Sequence, residues 1–368
     1  ALGIDLMLPV FDEIRSHFGL TDDATDVAQI VTVYLFGMAA AQILYGPIAD
    51  RFGRRPAAFI GLTIYAVGAA GAALAPTLSM VLVARFVMGV GAAGGRVVAV
   101  AVVRDLYHGE KMARAMSFIM AVFVSVPIFA PLLGAAMALV VPWQALFWFC
   151  AAYAVVIALW TTRLPETLAA EDRRELGYRP IVDAARQVLT DRRAVGYTLA
   201  LTFLMGAFTS YLASSELIVG EIYDRSALFP FVFGGVATFM GAAMLTNARI
   251  VARIGVNETV RRAVVGYTTL AVALLIITLA TGGKPPFLLA IAGTGAILVM
   301  HATMIPNVNT IAMESLGHVA GMASAVVGTV SLAGGALLGT IIDRMLGDTI
   351  TPLSLIHISE PTRRRLES

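Results

Sequence analysis

Four ionisable side chains stand inside long apolar segments of the 368-residue chain: Asp5, Arg85, Arg96 and Glu216. A charge at the centre of a lipid bilayer costs about 2.5–3.5 kcal/mol on insertion scales, so such groups persist where they pair or line a hydrated cavity. We expect opposite charges on two of the segments to share one polar cavity. There, burial and a nearby guanidinium act in opposite directions on the proton affinity of a carboxyl group. Such a site takes up or releases a proton when its contents change.

Each of these residues also has an interpretation that is purely structural. Arg85 and Arg96 could bond backbone carbonyls of neighbouring helices, while Asp5 could lie at a helix end in the headgroup zone. Glu216 could be an interfacial carboxylate at the outer mouth of its segment. His301 is either a hydrogen-bonded core histidine or a proton relay, and the sequence alone leaves these alternatives open.

Membrane-spanning helices are needed to position these charges, and the composition calls for them. The chain is 58% hydrophobic and 14% charged, whereas a soluble domain is about 25% charged. A soluble fold and a disordered chain are both excluded. Because a spanning backbone must satisfy its own hydrogen bonds, we predict an all-α integral membrane bundle. Its eleven apolar runs lie near residues 1–11, 27–48, 57–75, 78–103, 115–141, 143–162, 195–219, 227–248, 263–281, 287–312 and 319–346.

The loops between these runs differ in basic charge. Seventeen Lys and Arg residues lie on one side of the predicted membrane and four on the other, where the first loop is acidic. Short cytoplasmic loops carry the excess of basic residues. The pattern predicts that the N-terminus and the long polar loop 163–193 are cytoplasmic.

The loop 163–193 divides the chain into an N-terminal half, residues 1–162 with six runs, and a C-terminal half, residues 194–352 with five. The loop is either a solvated linker or contains a short amphipathic helix on the membrane surface. The apolar residues of that helix would be Leu176, Ile181, Val182, Ala185 and Val188.

Both ends of the sequence are unusual. The chain opens inside an apolar run, so we expect a truncated first helix and a missing start. Residues 353–368 resemble the in-frame translation of a transposase adapter used in sequencing libraries. We interpret them as an artefact that replaces a twelfth span, so the predicted bundle is a fragment of two six-helix halves.

Several other chemistries lack support in the sequence. The segment Gly89 to Gly94 fits the dinucleotide-binding glycine fingerprint, but it lies in the middle of an apolar helix instead of after a strand. Cys150 is the only cysteine, which excludes a disulfide scaffold. No Cys or His cluster, phosphate-binding loop or nucleophile elbow is found. A net charge of +2 gives no argument for nucleic acid. We predict a protein that is not an enzyme and binds no metal or cofactor.

The sharpest local pattern lies after the second run, and its residues are Gly46, Asp50, Arg51, Gly53, Arg54 and Arg55. Glycine permits a tight two-helix connection, and Asp50 followed by three arginines gives a charge cluster able to hold one arrangement of the helices. The segment closely resembles the loop signature between the second and third spans of the major facilitator superfamily. The resemblance implies the major facilitator fold, with these residues as a conformational latch.

Further segments resemble the drug:proton antiporter branch of that superfamily. Arg85 to Gly91 resembles its fourth-span pattern, in which the arginine is linked to proton transfer. Pro127, Pro131 and Gly134 resemble its fifth-span pattern, in which Pro and Gly bend the helix and let it pack closely. Within the branch, the likeness is to bicyclomycin and chloramphenicol resistance exporters. It is carried by the segments 5–9, 94–96, 103–105, 305–307 and 321–325.

The resemblance implies a secondary transporter in a bacterial inner membrane that exports small drug-like molecules in exchange for protons. It implies no cofactor beyond the proton gradient, and a monomer within the lipid bilayer. Asp5 and Arg85 are the expected proton-coupling residues. The expected substrate cavity comprises Asp5, Met7, Arg85, Arg96, Glu216, His301 and Asn307. The alternatives are an importer of a small metabolite on the same fold and a membrane receptor or regulator that does not transport.

Overall fold

The computed structural model describes residues 2–20, 25–107, 109–169, 171, 173, 179–314, 316 and 320–343. Within these residues the secondary structure is helical and contains no strand. The predicted artefact at 353–368 lies outside them, as do Leu176 and the end of the last predicted run.

The described chain forms thirteen α-helices. Nine of the described helices are long and apolar enough to cross a membrane, and the prediction of an all-α membrane protein is confirmed. The helices are α1 (Leu2–Asp5), α2 (Phe11–His17), α3 (Gln29–Phe52), α4 (Arg54–Ala73), α5 (Leu78–Leu106), α6 (Gly109–Ala138), α7 (Gln144–Thr161), α8 (Arg179–Thr190), α9 (Arg192–Leu217), α10 (Phe229–Ile254), α11 (Val256–Ala280), α12 (Phe287–Met313) and α13 (Ala320–Asp343).

Two helices extend beyond their apolar runs on the arginine-rich side. α10 continues to Ile254 and α11 begins at Val256, so that only Gly255 separates them. The arginines near this turn are helical because Arg is a good helix former whose long stem lies along apolar surface while its head stays in water.

The first predicted span is broken. α1 ends at Asp5, a short 3₁₀ turn covers Leu8–Val10, and α2 follows from Phe11. Pro9 causes the break, since it has no backbone N–H to bond the carbonyl of Asp5 four residues earlier and its ring would clash with that carbonyl. The break places the Asp5 carboxyl group at the end of a half-helix.

Small residues let the helices of the N-terminal half approach closely. A Cβ atom at Gly89 of α5 would overlap the Tyr34 carbonyl of α3, and one at Gly91 would overlap the backbone of Tyr65 in α4. The glycine fingerprint in this segment is therefore a helix-packing feature, as small residues commonly are in membrane bundles.

The two halves share a core at one end only. We call this end, which holds the acidic first loop, the acidic end, and the arginine-rich side the basic end. At the acidic end, one apolar cluster contains Leu6 and Tyr34 from the first half with Tyr211 and Phe233 from the second. Towards the basic end, separate clusters form in each half, and only Ile43 of α3 reaches the cluster of the second half. In the described residues, the shared apolar core thus lies at the acidic end, and about midway along the helices the halves also meet where Gln42 of α3 packs on Gly328 of α13.

Candidate functional site

Arg85 is the central buried charge of the N-terminal half. Its side chain is 0% exposed, and its guanidinium donates to the carbonyls of Gly3 (2.6 Å) and Ile30 (3.0 Å). The guanidinium also lies 4.5 Å from the centre of the Tyr34 ring, within cation–π range. None of the ion pairs found among the described residues includes Arg85. The position fits the structural alternative, since Arg85 ties α5 to α1 and α3, and it leaves the positive charge without a carboxylate at contact distance.

Asp5 lies at the junction of the two halves. Its side chain is 3% exposed. It interacts electrostatically with Tyr34 of the first half and with Tyr211 of the second. Tyr34 also interacts with Arg85. Asp5 and Arg85 therefore share Tyr34 as a neighbour, and the ion pairs found among the described residues do not join them directly.

Sequence reasoning missed these aromatic partners. Tyr34 and Tyr211 read as ordinary apolar residues of their spans, and only the fold brings them beside Asp5. The partly buried Tyr65 and the buried Cys150 also interact electrostatically with Arg85. The only signal in the sequence is that a phenol buried in a membrane span needs a polar partner.

Arg96 shows where the interior of the bundle opens. It follows Arg85 by eleven residues, which is about three helical turns and about 16 Å along α5, so both side chains project from the same face. Arg85 is fully buried, whereas Arg96 is exposed. Since α5 runs towards the basic end, this inward face is closed at the level of Arg85 and open at the level of Arg96.

Two predicted cavity residues are closed in by neighbours. Met7 is fully buried in the apolar cluster that joins the halves. His301 is also fully buried, and its ring stacks on Phe208 with the ring centres 5.5 Å apart. Tyr267 lies on another side of the imidazole, 6.5 Å between ring centres. His301 thus belongs to an aromatic cluster of the C-terminal half.

Asn307 forms a side-chain pair instead of lining an open cavity. Its amide nitrogen donates to the Asn247 side-chain oxygen (2.8 Å) and to the Thr303 carbonyl (2.7 Å). Both asparagines are buried. The pair links α10 to α12, and the second half is held here by neutral amides.

Glu216 is buried in this structure. Its side chain is 4% exposed, at the point where α9 gives way to a π-helical turn over Ile218–Ile222. A Cβ atom at Gly220 would lie 2.9 Å from its Oε1 atom, so the carboxyl group reaches forward to the next turn of its own chain.

A small cavity lies beside the same turn. It is lined by aromatic and hydroxyl side chains that include Tyr211, Ser215, Phe229, Phe233 and Thr294, and its volume is about 30 Å³. This is room for about two water molecules. A ligand pocket of about 300–1,000 Å³ would require the helices to move.

The charge cluster after α3 is paired within the first half. The Arg54 guanidinium contacts Asp50 (2.5 Å) and Asp105 at the end of α5 (2.8 Å). Thr167 donates to the same Asp105 carboxylate (3.1 Å). Asp50, Arg54 and Asp105 therefore fix the basic ends of α3, α4 and α5 to one another.

Glu166 completes this cluster, and sequence reasoning missed it. Its carboxylate accepts the backbone N–H groups of Arg54 (2.8 Å) and Arg55 (3.2 Å) at the start of α4. Burial disfavours the charged carboxylate and so raises its pKa. The hydrogen bonds from Arg54, Arg55 and Leu168 (3.1 Å) outweigh burial and lower the pKa of Glu166 below its ordinary value. Gly53 makes room for the Glu166 carboxylate. Its φ of 102° favours glycine, and a Cβ atom at this position would overlap that carboxylate. The only signal for this contact in the sequence was an acidic residue soon after the end of a span. A carboxylate in such a position can stabilise the N-terminus of another helix.

Other residues predicted in the latch take different positions. Gly46 is not at a helix end, because α3 continues through Pro47 to Phe52, and space is open around the Gly46 Cα atom. Arg51 is exposed. The Arg55 guanidinium lies 5.9 Å from the Phe59 ring centre. The three arginines near the turn thus differ in their contacts, and Arg54 is the one that takes part in the ion pairs found among the described residues.

The predicted fifth-span motif lies in α6. A Cβ atom at Gly134 would overlap the Leu6 carbonyl, so glycine lets α6 approach the broken first span. Pro131 is buried within the helix, and the side chain of Pro127 lies outside the described residues. The close packing expected of this motif is present at Gly134.

A membrane-spanning bundle of two halves, joined at a buried charged site and open at one end, has the architecture of a membrane transporter. The profile described as Major Facilitator Superfamily matches residues 1–339. The chain belongs to this superfamily. It is a multi-pass membrane transporter and not an enzyme.

Two of the relatives match nearly the whole chain, and a third matches less than half of it. An uncharacterized MFS-type transporter, YdgK of Bacillus subtilis, is 29% identical over 96% of this chain and 88% of its own length. A bicyclomycin resistance protein homolog of Haemophilus influenzae is 26% identical over 95% of this chain and 87% of its own length. Multidrug resistance protein MdtL of Klebsiella pneumoniae is 36% identical over 43% of this chain and 40% of its own length. The predicted resemblance to drug-resistance members of the superfamily is confirmed.

Solved structures share the fold. The xylose transporter XylE from E. coli, in a partially occluded inward open conformation, superposes with a TM-score of 0.75 at 13% identity. The match covers 98% of this chain and 92% of XylE. At this identity the likeness concerns the fold alone.

Proposed function

We propose that this protein exports small, partly apolar drug-like molecules from the bacterial cytoplasm in exchange for protons. The observation that carries the proposal is the burial of Asp5 at the junction of the halves, where it interacts with Tyr34 of the first half and Tyr211 of the second. The drug-resistance relatives support the substrate class.

Asp5 is the proposed proton site. A carboxyl group enclosed by apolar residues and phenols is more stable neutral than charged, unless water or a cation reaches it. A proton arriving from outside neutralises Asp5 and favours the closed junction. In the conformation that is open to the cytoplasm, entry of water or substrate as far as the carboxyl group then releases the proton. Arg85, which shares Tyr34 as a neighbour, assists release because its charge stabilises the carboxylate.

Arg96 and the second half form the proposed substrate surface. The face of α5 that carries Arg96 is open at the basic end, which the positive-inside pattern assigns to the cytoplasm. In this orientation the N-terminus is cytoplasmic and the present conformation accepts substrate. The aromatic residues around His301 and the carboxyl group of Glu216 contact the compound as the halves rock, and Glu216 favours cations. The latch of Asp50, Arg54 and Asp105 makes the first half move as one body.

The energetics allow this exchange. One proton that moves inward in exchange for a neutral compound contributes about 2.3 kcal/mol per 100 mV of membrane potential, whereas its exchange for a monovalent cation is driven by the pH gradient alone. Because a tenfold concentration ratio corresponds to about 1.4 kcal/mol, one proton per cycle drives more than tenfold accumulation outside. Both halves lie within one chain, so a monomer in the inner membrane suffices.

Everted membrane vesicles test the proposal. With an acidic lumen, we expect accumulation of bicyclomycin or ethidium in the lumen and compound-dependent release of the pH gradient. Vesicles carrying the same membranes without the protein are the control. Accumulation only in right-side-out vesicles would replace export by import. The absence of compound movement and proton movement in both vesicle types would favour a receptor or regulator.

A further inference from the structure

Helix α8 directly precedes a candidate membrane span at the basic end. It ends at Thr190, and α9 begins two residues later at Arg192 as a candidate membrane span. The single linking residue, Asp191, caps α9, since its carboxylate accepts the N–H groups of Arg193 (2.8 Å) and Ala194 (3.1 Å). The link is too short to carry α8 away from the membrane surface, so α8 and α9 form one fixed corner.

The side chains of α8 fall into three sectors around the helix. Ile181, Ala185 and Val188 face the protein, and Val188 is 2% exposed within the core of the second half. About a quarter-turn away on the helix, Val182 and Leu189 form an apolar stripe. These two side chains are 54% and 74% exposed.

The third sector is charged. Arg186 and Asp183 are exposed on the side opposite the protein-facing sector, and Arg192 and Arg193 are exposed where α9 begins. In the part of the chain that the structure describes, none of these three arginines takes part in an ion pair. An apolar stripe next to unpaired arginines, at headgroup level, is the arrangement of helices that lie in the interface of anionic membranes.

We propose that α8 docks on anionic phospholipid, with Val182 and Leu189 inserted at the acyl boundary and Arg186, Arg192 and Arg193 on lipid phosphates. The sequence expectation placed Ile181, Ala185 and Val188 on the membrane together with Val182 and Leu176. Of these, Val182 keeps that place, the other three face the protein, and Leu176 lies outside the described residues. The contact holds the basic end of α9 at a constant depth while the first half moves. The inference requires the membrane placement of the chain but not drug export or proton coupling.

A fluorescent label tests the docking directly. We would label Leu189→Cys with bimane, and Asp183→Cys as the matched control on the charged sector. Cys150 is buried and does not compete for the label. The purified proteins are placed in phosphatidylcholine vesicles with or without phosphatidylglycerol. Quenching is measured with acrylamide in water and with brominated acyl chains in lipid.

With phosphatidylglycerol, the Leu189 label should be shielded from acrylamide about threefold relative to the Asp183 label, and quenched by brominated lipid. Shielding should decrease in neutral vesicles and in the Arg186→Gln/Arg193→Gln variant. Equal acrylamide access at both positions would overturn the docking. Equal shielding in neutral and anionic vesicles would overturn the choice of anionic lipid. Because transport is not measured, these outcomes are independent of the proposed function.

Discussion

The two halves of the molecule place polar groups inside the membrane in different ways. The first half buries the charges of Asp5 and Arg85, and Arg85 is held by backbone carbonyls and an aromatic ring. In the second half, His301 lies among aromatic rings and the neutral pair of Asn247 and Asn307 joins two helices. The second half also buries the carboxyl group of Glu216. The proposed division of labour assigns proton movement to Asp5 and Arg85 in the first half, and the opposing surface at Tyr211 to the second half.

The comparison between the halves fails if Arg85 supports transport without its hydrogen bonds to the carbonyls of Gly3 and Ile30. Lysine keeps the charge but lacks the planar fork that donates to both Gly3 and Ile30. We expect Arg85→Lys to lower the initial transport rate at least about tenfold. Everted vesicles with matched protein amounts measure it, and Arg253→Lys, an exposed arginine of the second half, is the control. A rate for Arg85→Lys equal to that of the control would contradict the division.

The close helix packing of the first half gives the next largest effect. Gly89→Ala places a Cβ atom on the Tyr34 carbonyl, so we expect a loss of about 1–3 kcal/mol in the free energy of unfolding. Gly95→Ala in the same helix meets open space and should be neutral or stabilising by up to about 1 kcal/mol. Unfolding in mixed micelles measures both, and equal stability of the two variants would refute the packing argument.

The neutral pair of the second half predicts non-additive effects. Asn307→Leu leaves the Asn247 amide buried without its partner, at a cost of about 1–2 kcal/mol. The double variant Asn247→Leu/Asn307→Leu removes both polar groups and should recover more than half of the loss. The same unfolding experiment completes the cycle. Strict additivity would show that the pair does not stabilise the second half.

The smallest effect is expected at Glu166. Its lowered pKa means that its bonds to the start of α4 stabilise the folded state above the ordinary Glu pKa and are lost as the pH falls through the lowered value. Hydrogen exchange at Arg54 and Arg55, corrected for intrinsic rates, should lose protection in acid. Glu166→Gln should show weak protection at every pH. If protection in this variant falls with pH as it does in the wild type, Glu166 is not the cause of the pH dependence.

The fold was largely predictable because a backbone in lipid must bond to itself, and long apolar runs therefore become helices. The break after Asp5 was missed although Pro9 gives its signal. The helix ends at Ile254 and Val256 were missed because charged residues can continue a helix into the headgroups.

The site was less predictable. The four intramembrane charges were found from residue type, and three of them are buried. Their partners were not found, because the carbonyls of Gly3 and Ile30 and the ring of Tyr211 come from distant segments. The hydrogen bond between Asn307 and Asn247 was not predicted either. A residue type shows that a group needs a partner, but only the packing of helices shows which partner it has.

The role of Asp5 is tested most directly by separating substrate exchange from proton coupling. Reconstituted Asp5→Asn protein should still exchange labelled compound for unlabelled compound across vesicles, because the neutral side chain resembles the protonated state. It should not accumulate the compound when a pH gradient is imposed, whereas Asp5→Glu should retain part of the accumulation. Accumulation by Asp5→Asn equal to that of the wild type would contradict the account.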